Sequence, residues 1–154
     1  MKLSDLDTKS PQDEGAFLHL THSKFGHFMY TGENADKDGR WTGEGDDAKP
    51  LDSQRIGLVV RGMEAQSVQE FTREQQRLDL ANAKKKVPTP LPELEHENGI
   101  KFGCTLIVSF VNIEGEDGKN LPPTEENKRA FLEMSDDLSR QILMFARDRD
   151  NFFR

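Results

Sequence analysis

Residues 55–86 have the sequence "RIGLVVRGMEAQSVQEFTREQQRLDLANAKKK", in which a short apolar run leads into a long polar stretch. The Ile, Leu and Val residues of "RIGLVVRG" favour a strand that ends at Gly62. Residues 63–86 contain no Gly or Pro and consist mainly of Gln, Glu, Arg, Leu and Ala, which favour helix. Their apolar positions form a thin stripe, so we expect a long helix that projects from the body or packs along one narrow seam. Together these features predict an α+β fold.

The sequence upstream of this strand predicts a small antiparallel β unit over residues 15–62. "AFLHLTH" alternates apolar and polar residues, and with "HFMYTG" it indicates two short strands joined by a turn. Between them and the strand lie residues 33–52, which are rich in Gly and Asp and are typical of an acidic surface loop. Residues 1–14 are polar and aperiodic, and we expect a flexible N-terminal lead there.

The chain after the long helix begins with a proline-rich stretch. Three prolines in "VPTPLPE" oppose regular hydrogen bonding and predict an extended linker over residues 87–98. Residues 99–113, "GIKFGCTLIVSFVNI", are the most apolar part of the chain. Their Val, Ile, Phe and Thr content favours strand, but a buried helix is nearly as consistent with this composition. The length of the segment does not decide between the two.

Two amphipathic helices are predicted to complete the unit formed by residues 99–154. Thr124 follows two prolines and is suited to cap the first helix, with Glu125 and Glu126 in its first turn. Ser135 or Asp136 can cap the second. The apolar residues that we expect to contact protein are Phe131, Met134, Leu138, Ile142, Phe145, Phe152 and Phe153. They pack either on the chain's own core or on a partner, because aromatic and aliphatic side chains dominate both kinds of contact.

Charge and cysteine content exclude several classes of partner and site. The net charge of −7 and the pI near 5.1 oppose nucleic-acid binding, which draws on clustered Lys and Arg. Cys104 is the only cysteine, so neither an internal disulfide nor a Cys-based zinc cluster can form. Its apolar surroundings predict an inert core thiol. No stretch approaches the 18 apolar residues that span a bilayer, so we expect no membrane partner.

Two patterns resemble metal sites without completing them. Residues 34–45 place Asn34, Asp36 and Asp38 at the alternate positions of a calcium loop, but Gly45 occupies the place of the essential Glu. A solvated turn is the better interpretation. The histidines at positions 19, 22 and 27 lie on the predicted hairpin with no cysteine nearby, so we expect them to be structural. With no catalytic motif present, the sequence predicts neither an enzyme nor a cofactor.

Three segments of the chain resemble, in order, a group of small proteins from tailed bacteriophages. They are "DEGAFLHLTHSKFGHFMY", "RIGLVVRGMEAQSVQEFTREQQR" and "LPPTEENKRAFLEMSDDLSRQILMFARDRDNFF". Members often combine an acidic-Gly-Ala opening, a strand with a long polar helix, a Pro-Thr-Glu-Asn helix start and an Arg-Asn-Phe finish. Phe110 and Leu138 stand where a tryptophan is common in that group.

The resemblance implies a tail assembly chaperone or morphogenesis factor that shields tail proteins through amphipathic helices. Such a protein would bind the tape-measure or tail-tube protein in the host cell cytoplasm, and self-association is a further option. The alternative is a structural protein of the virion, in the tail or at the head–tail junction. A phage inhibitor of a host protein, acting through its acidic surface, is a third interpretation.

Overall fold

The structure, a computed structural model, describes residues 1–45, 48–84 and 92–153, with side chains in the last stretch from residue 95 onward. These residues form an α+β fold with a three-stranded antiparallel sheet and five helices. The elements are α1 (Lys9–Glu14), β1 (Ala16–His19), β2 (Gly57–Val60), α2 (Gln66–Lys84), α3 (Pro92–Leu106), β3 (Ile107–Val111), α4 (Glu125–Met134) and α5 (Asp136–Arg147). Short 3₁₀ turns occupy Leu3–Leu6, Asp52–Gln54 and Arg149–Phe152.

The predicted strand of residues 55–62 is the central strand of the sheet, whose order is β1-β2-β3. Val59 lies opposite Phe17 on one side and Ser109 on the other, and an irregularity after Val59 shifts the register with β3. Leu58 and Val60 are two residues apart on β2, so their side chains point to the same face of the sheet, and both are fully buried. This face supports the core.

Helices α3, α4 and α5 pack against one another, and α5 also contacts β2. The core that they enclose with the sheet consists of Leu20, Leu58, Val60, Ala65, Val68, Ile100, Cys104, Leu106, Ile107, Phe110, Phe131, Leu132, Leu138, Ile142 and Ala146. The ring centroids of Phe110 and Phe131 are 5.5 Å apart, so these two side chains pack β3 against α4. The final helices therefore fold back onto the chain's own sheet.

Both predicted helix starts in the C-terminal part are confirmed. The Thr124 hydroxyl accepts a hydrogen bond from the backbone N–H of Asn127 at 3.2 Å. The Ser135 hydroxyl accepts one from the backbone N–H of Asp137 at 3.2 Å. Ser135 is the single residue between the end of α4 and the start of α5. Because each cap satisfies an N–H that has no partner within its helix, the boundary is set locally.

The apolar segment of residues 99–113 adopts both of the states that the sequence left open. It is helical to Leu106 and becomes β3 at Ile107 with no intervening loop. Arg61 stabilises this transition from helix to strand, because its backbone N–H donates to Leu106 O at 2.7 Å and its guanidinium donates to Thr105 O at 2.8 Å. These donors satisfy carbonyls that the end of α3 leaves free.

The prediction of an extended linker over residues 87–98 is wrong for residues 92–98, which form the first half of α3. Pro92 is its first residue, a position that tolerates proline because that N–H has no partner within the helix. Residues 87–91 lie outside the described part of the chain. The long helix predicted over residues 63–86 is observed as α2, which begins at Gln66, three residues later than predicted. Its last two predicted residues are also outside the described part.

The N-terminal segment also differs from its prediction as a flexible lead, because residues 9–14 form α1. Gln12 is 1% exposed and ties this helix to the chain after β2. Its amide nitrogen donates to Thr8 O at 3.0 Å and to the Glu64 carboxylate at 2.9 Å, while its amide oxygen accepts from the Glu64 backbone N–H at 2.9 Å. A polar residue in a polar segment gave no sign of this burial.

We expect Gln12→Ala to lower the free energy of unfolding by about 2 kcal/mol, because it leaves the buried N–H of Glu64 without its partner. Urea denaturation followed by circular dichroism measures the change. Gln76→Ala is the matched control, since Gln76 is exposed on α2 and alanine favours helix. Equal stability of the two variants would contradict the role of Gln12.

Candidate functional site

An open groove of about 920 Å³ lies where the end of the sheet meets α4 and the start of α5. Its apolar lining consists of Leu20, Met29, Ile56, Ile113, Leu121, Pro122, Ala130, Phe131, Met134 and Leu138. Phe131 and Leu138 are buried at its floor, whereas Met134 is 77% exposed at its edge. The groove therefore presents apolar surface that the chain itself does not cover.

One wall of the groove is the hairpin-like loop of residues 112–122. Leu121 donates its backbone N–H to Ile113 O at 2.7 Å, and Gly115 donates to Lys119 O at 2.9 Å. The loop turns tightly at Asp117-Gly118, where Gly118 adopts a φ of 75° that favours glycine. This turn places Ile113 and Leu121 side by side on the groove.

Two asparagines anchor the base of the same loop, one to the segment before β2 and the other to β3. Asn112 adopts a left-handed φ of 58°, and its side-chain amide donates to Ser53 O and Arg55 O, both at 2.8 Å. Asn120 donates to Phe110 O at 2.9 Å. Asparagine tolerates the left-handed region better than most residues, so this bend has a local cause. These hydrogen bonds tie the wall to the rest of the protein.

Four acidic side chains also line the groove, three from the 112–122 loop and one from α4. Glu114, Glu116, Asp117 and Glu126 line the groove, and no lysine or arginine does so among the residues that the structure describes. All four are exposed, and none forms an ion pair with another described residue. The groove therefore combines an apolar floor with a negative rim.

The structure divides the predicted interaction residues into three groups. Phe131, Met134 and Leu138 lie together at the groove. Ile142 and Phe152 are buried within the protein, and Phe145 is half-buried against Phe152 with ring centroids 5.7 Å apart. The burial of Ile142 and Phe152 removes them from any surface that a partner could reach in this fold.

The last of the predicted residues, Phe153, lies away from the groove and is 44% exposed. The guanidinium of Arg149 stands 5.7 Å from the centre of its ring, within the range of a cation–π contact. The terminal aromatic pair is therefore split, with Phe152 inside and Phe153 at the surface.

The groove residues that sequence reasoning missed come from loops and strand ends. Met29, Ile56, Ile113 and Leu121 occupy positions without helical periodicity. The turn sequence "EGEDGKN" lies between Ile113 and Leu121, and this was the available signal that the two are neighbours. No comparable local signal joins Met29 or Ile56 to α4.

The three hairpin histidines make hydrogen bonds that hold the N-terminal loops. His19 donates from Nε2 to Met29 O at 2.8 Å, and His27 donates from Nε2 to Asp38 O at 2.9 Å. His22 Nδ1 accepts from the backbone N–H groups of Lys24 and Phe25. Burial lowers the pKa of His19, which favours its neutral form. No group of three potential metal ligands is found in the described part of the chain.

The predicted hairpin itself is shorter than its sequence pattern. β1 pairs with β2, and the second predicted strand contributes only isolated bridges at Phe28 and Tyr30. Tyr30 donates its N–H to Gly39 O at 2.8 Å, so the chain turns into the next loop instead of extending the pair.

The loop that resembles a calcium site is held by hydrogen bonds within itself. The Asp36 carboxylate accepts hydrogen bonds from the backbone N–H groups of Asp38 and Arg40 at 2.9 and 3.0 Å. The bond from Arg40 is the largest cause of the lowered pKa of Asp36. The prediction of a turn built on Asp and Gly is confirmed for residues 34–42. Asp46 and Asp47 lie outside the described residues.

The prediction that Cys104 is a core thiol is confirmed. Its side chain is buried in the core, and burial is the main cause of its raised pKa. A thiol with a raised pKa carries little thiolate and reacts slowly.

The fold and the groove define a small α+β protein with an apolar depression, lined in part by acids, at the junction of sheet and helices. Comparison with protein-family models, curated proteins and solved structures finds no match for this chain. None of the helices in the described ranges is long and apolar enough to cross a bilayer.

Proposed function

We propose that this protein is a bacteriophage tail assembly chaperone or morphogenesis factor, without enzymatic activity, that acts in the host cell cytoplasm. It binds a tail protein, the tape-measure or the tail-tube protein, before assembly. The three segments that resemble small phage tail-module proteins support the biological assignment. The open apolar groove supports the mode of action, and it is the observation that carries the proposal.

The binding surface in this proposal is the groove and not the apolar stripe of α5. Ile142 and Ala146 of that stripe are buried in the chain's own core, and Leu138 contributes only to the buried floor of the groove. Met134 and Ala130 of α4 remain exposed at the groove, where they can cover an apolar segment of the partner. The net charge of −7 keeps the resulting complex in solution.

Co-expression with the tape-measure and tail-tube proteins of the same phage, followed by size-exclusion chromatography, tests the proposal. A complex with one of them, together with absence of the protein from purified particles, supports a chaperone. Stoichiometric presence in particles would instead identify a virion component. Capture of a host enzyme with no tail protein would identify an inhibitor.

A single substitution at the groove is expected to weaken this complex. Met134→Glu places a charge where an apolar side chain meets the partner, so we expect at least tenfold weaker binding, about 1.4 kcal/mol. Folding stability stays within about 0.5 kcal/mol, because Met134 is 77% exposed. Binding is measured by titration of the co-purified partner onto immobilised protein.

The matched control is Met144→Glu on α5. Met144 is 65% exposed and does not line the groove, so this variant is expected to bind like the unmodified protein. If both variants lose binding equally, or neither does, the groove is not the docking surface.

A further inference from the structure

We infer that the groove receives an amphipathic α-helix with an apolar inner face and Lys or Arg side chains along its flanks. This inference rests on the proposed function, because it assigns a ligand to the same docking surface. Three properties of the groove lead to it: its lining, its backbone hydrogen bonds and its charge.

The lining requires an apolar ligand face. Phe131 and Leu138 form a buried floor, and Ile113 and Leu121 form the wall that the anchored loop supports. Burying one aliphatic or aromatic side chain contributes on the order of 1.5–3 kcal/mol. A ligand that offers several such residues on one side therefore gains most from this site.

The backbone around the groove favours a helix over an added strand. Leu20 donates to Ile56 O at 3.1 Å, Ile56 to Met29 O at 3.0 Å, and Met29 to Leu20 O at 3.1 Å. In the wall, Leu121 donates to Ile113 O. A peptide that joins as a strand needs an edge with unpaired N–H and C=O groups, whereas a helix satisfies its own.

The rim determines the charge of the ligand. Glu114, Glu116 and Glu126 are exposed, lack ion-pair partners among the described residues, and border the apolar floor without a compensating base. A ligand with acidic flanks would be repelled, and a ligand with Lys or Arg there would be attracted and oriented. Such contacts weaken with salt because exposed charges are screened.

Two synthetic peptides of about 18 residues, five helical turns, test the inference. Both carry Leu at helical spacing i, i+3, i+4 and i+7, and they differ only in having Lys or Glu at the flanking positions. Fluorescence anisotropy with the intact protein is expected to give at least tenfold tighter binding of the Lys peptide. About 0.5 M salt should remove most of that difference.

Two pairs of variants locate the binding. The triple variant Glu114→Gln, Glu116→Gln and Glu126→Gln is expected to bind the Lys peptide about tenfold more weakly. Its matched control carries Glu33→Gln, Glu44→Gln and Asp79→Asn, which remove the same charge from exposed positions outside the groove. Ala130→Trp should fill the groove and abolish binding, whereas Ala83→Trp, on an exposed site of α2, should not.

The possible results distinguish a failure of this inference from a failure of the proposed chaperone function. Equal binding of both peptides, with loss in Ala130→Trp, would overturn the basic ligand while the groove remains a docking site. Binding that no groove variant changes, or no binding of either peptide, would overturn the helical ligand. Capture of tail proteins by Met134→Glu and its control then decides the proposed function independently.

Discussion

Ile142→Ala is expected to lower the free energy of unfolding of the isolated protein by about 4 kcal/mol. Ile142 is 1% exposed on α5 and belongs to the core between α5 and the rest of the protein. The substitution removes three carbon atoms from a closely packed region and leaves a cavity that the surrounding side chains can fill only in part. Urea denaturation measures the loss. An unchanged dependence of the unfolding free energy on urea concentration would indicate that the surface exposed on unfolding is the same in both proteins.

The control for this substitution is Met144→Ala, two residues away on the exposed side of α5. Its expected effect is within about 0.5 kcal/mol. If Ile142→Ala left the isolated protein as stable as this control but abolished binding to a tail protein, α5 would be an interface and not a core helix. The comparison therefore distinguishes the two roles that the sequence allowed for this apolar stripe.

Structure set by neighbouring residues was predictable from the sequence. Thr124 and Ser135 cap the helices that they precede, because a side-chain oxygen two or three residues from a free N–H needs no distant partner. The central strand and the long helix of residues 55–86 followed from composition in the same way. Gly118 completes a turn whose residues are adjacent in the chain.

Features that depend on distant contacts were not predictable in this way. α3 ends at Leu106 because Arg61, 45 positions earlier in the numbering, supplies donors to its last carbonyls. Helix α1 is held by hydrogen bonds between Gln12 and Glu64, which lie 52 positions apart. A sequence window that contains only one partner of such a pair carries no signal of the contact.

The candidate groove shows the same division. The periodicity of α4 and α5 identified Phe131, Met134 and Leu138, which lie on two consecutive helices. α4 also contributes Ala130, and the other apolar lining residues come from the loops after β1, the residue before β2 and the 112–122 loop, which folding alone brings together. Periodicity also selected Ile142 and Phe152, because a core stripe and an interface stripe have the same spacing along a helix.

Gly57→Ala is expected to lower the free energy of unfolding by about 3 kcal/mol, the second large effect on stability. A Cβ on Gly57 would overlap the carbonyl oxygen of Leu18 on the neighbouring strand and lie 2.8 Å from the Phe17 ring. The Leu18 oxygen belongs to the backbone of β1, so it cannot move away as a flexible side chain could. The pairing of β1 with β2 must open to admit the methyl group, and the cost arises from that strain.

Gly99→Ala provides the opposing control. Gly99 lies in α3, is exposed, and has no atom within 4 Å of an added Cβ. Alanine there reduces the conformational freedom of the unfolded chain without strain, so stability should rise by about 0.5–1 kcal/mol. Thermal and urea unfolding of both variants test the pair. A neutral Gly57→Ala would mean that β1 does not lie against β2 in the register that places His19 opposite Gly57.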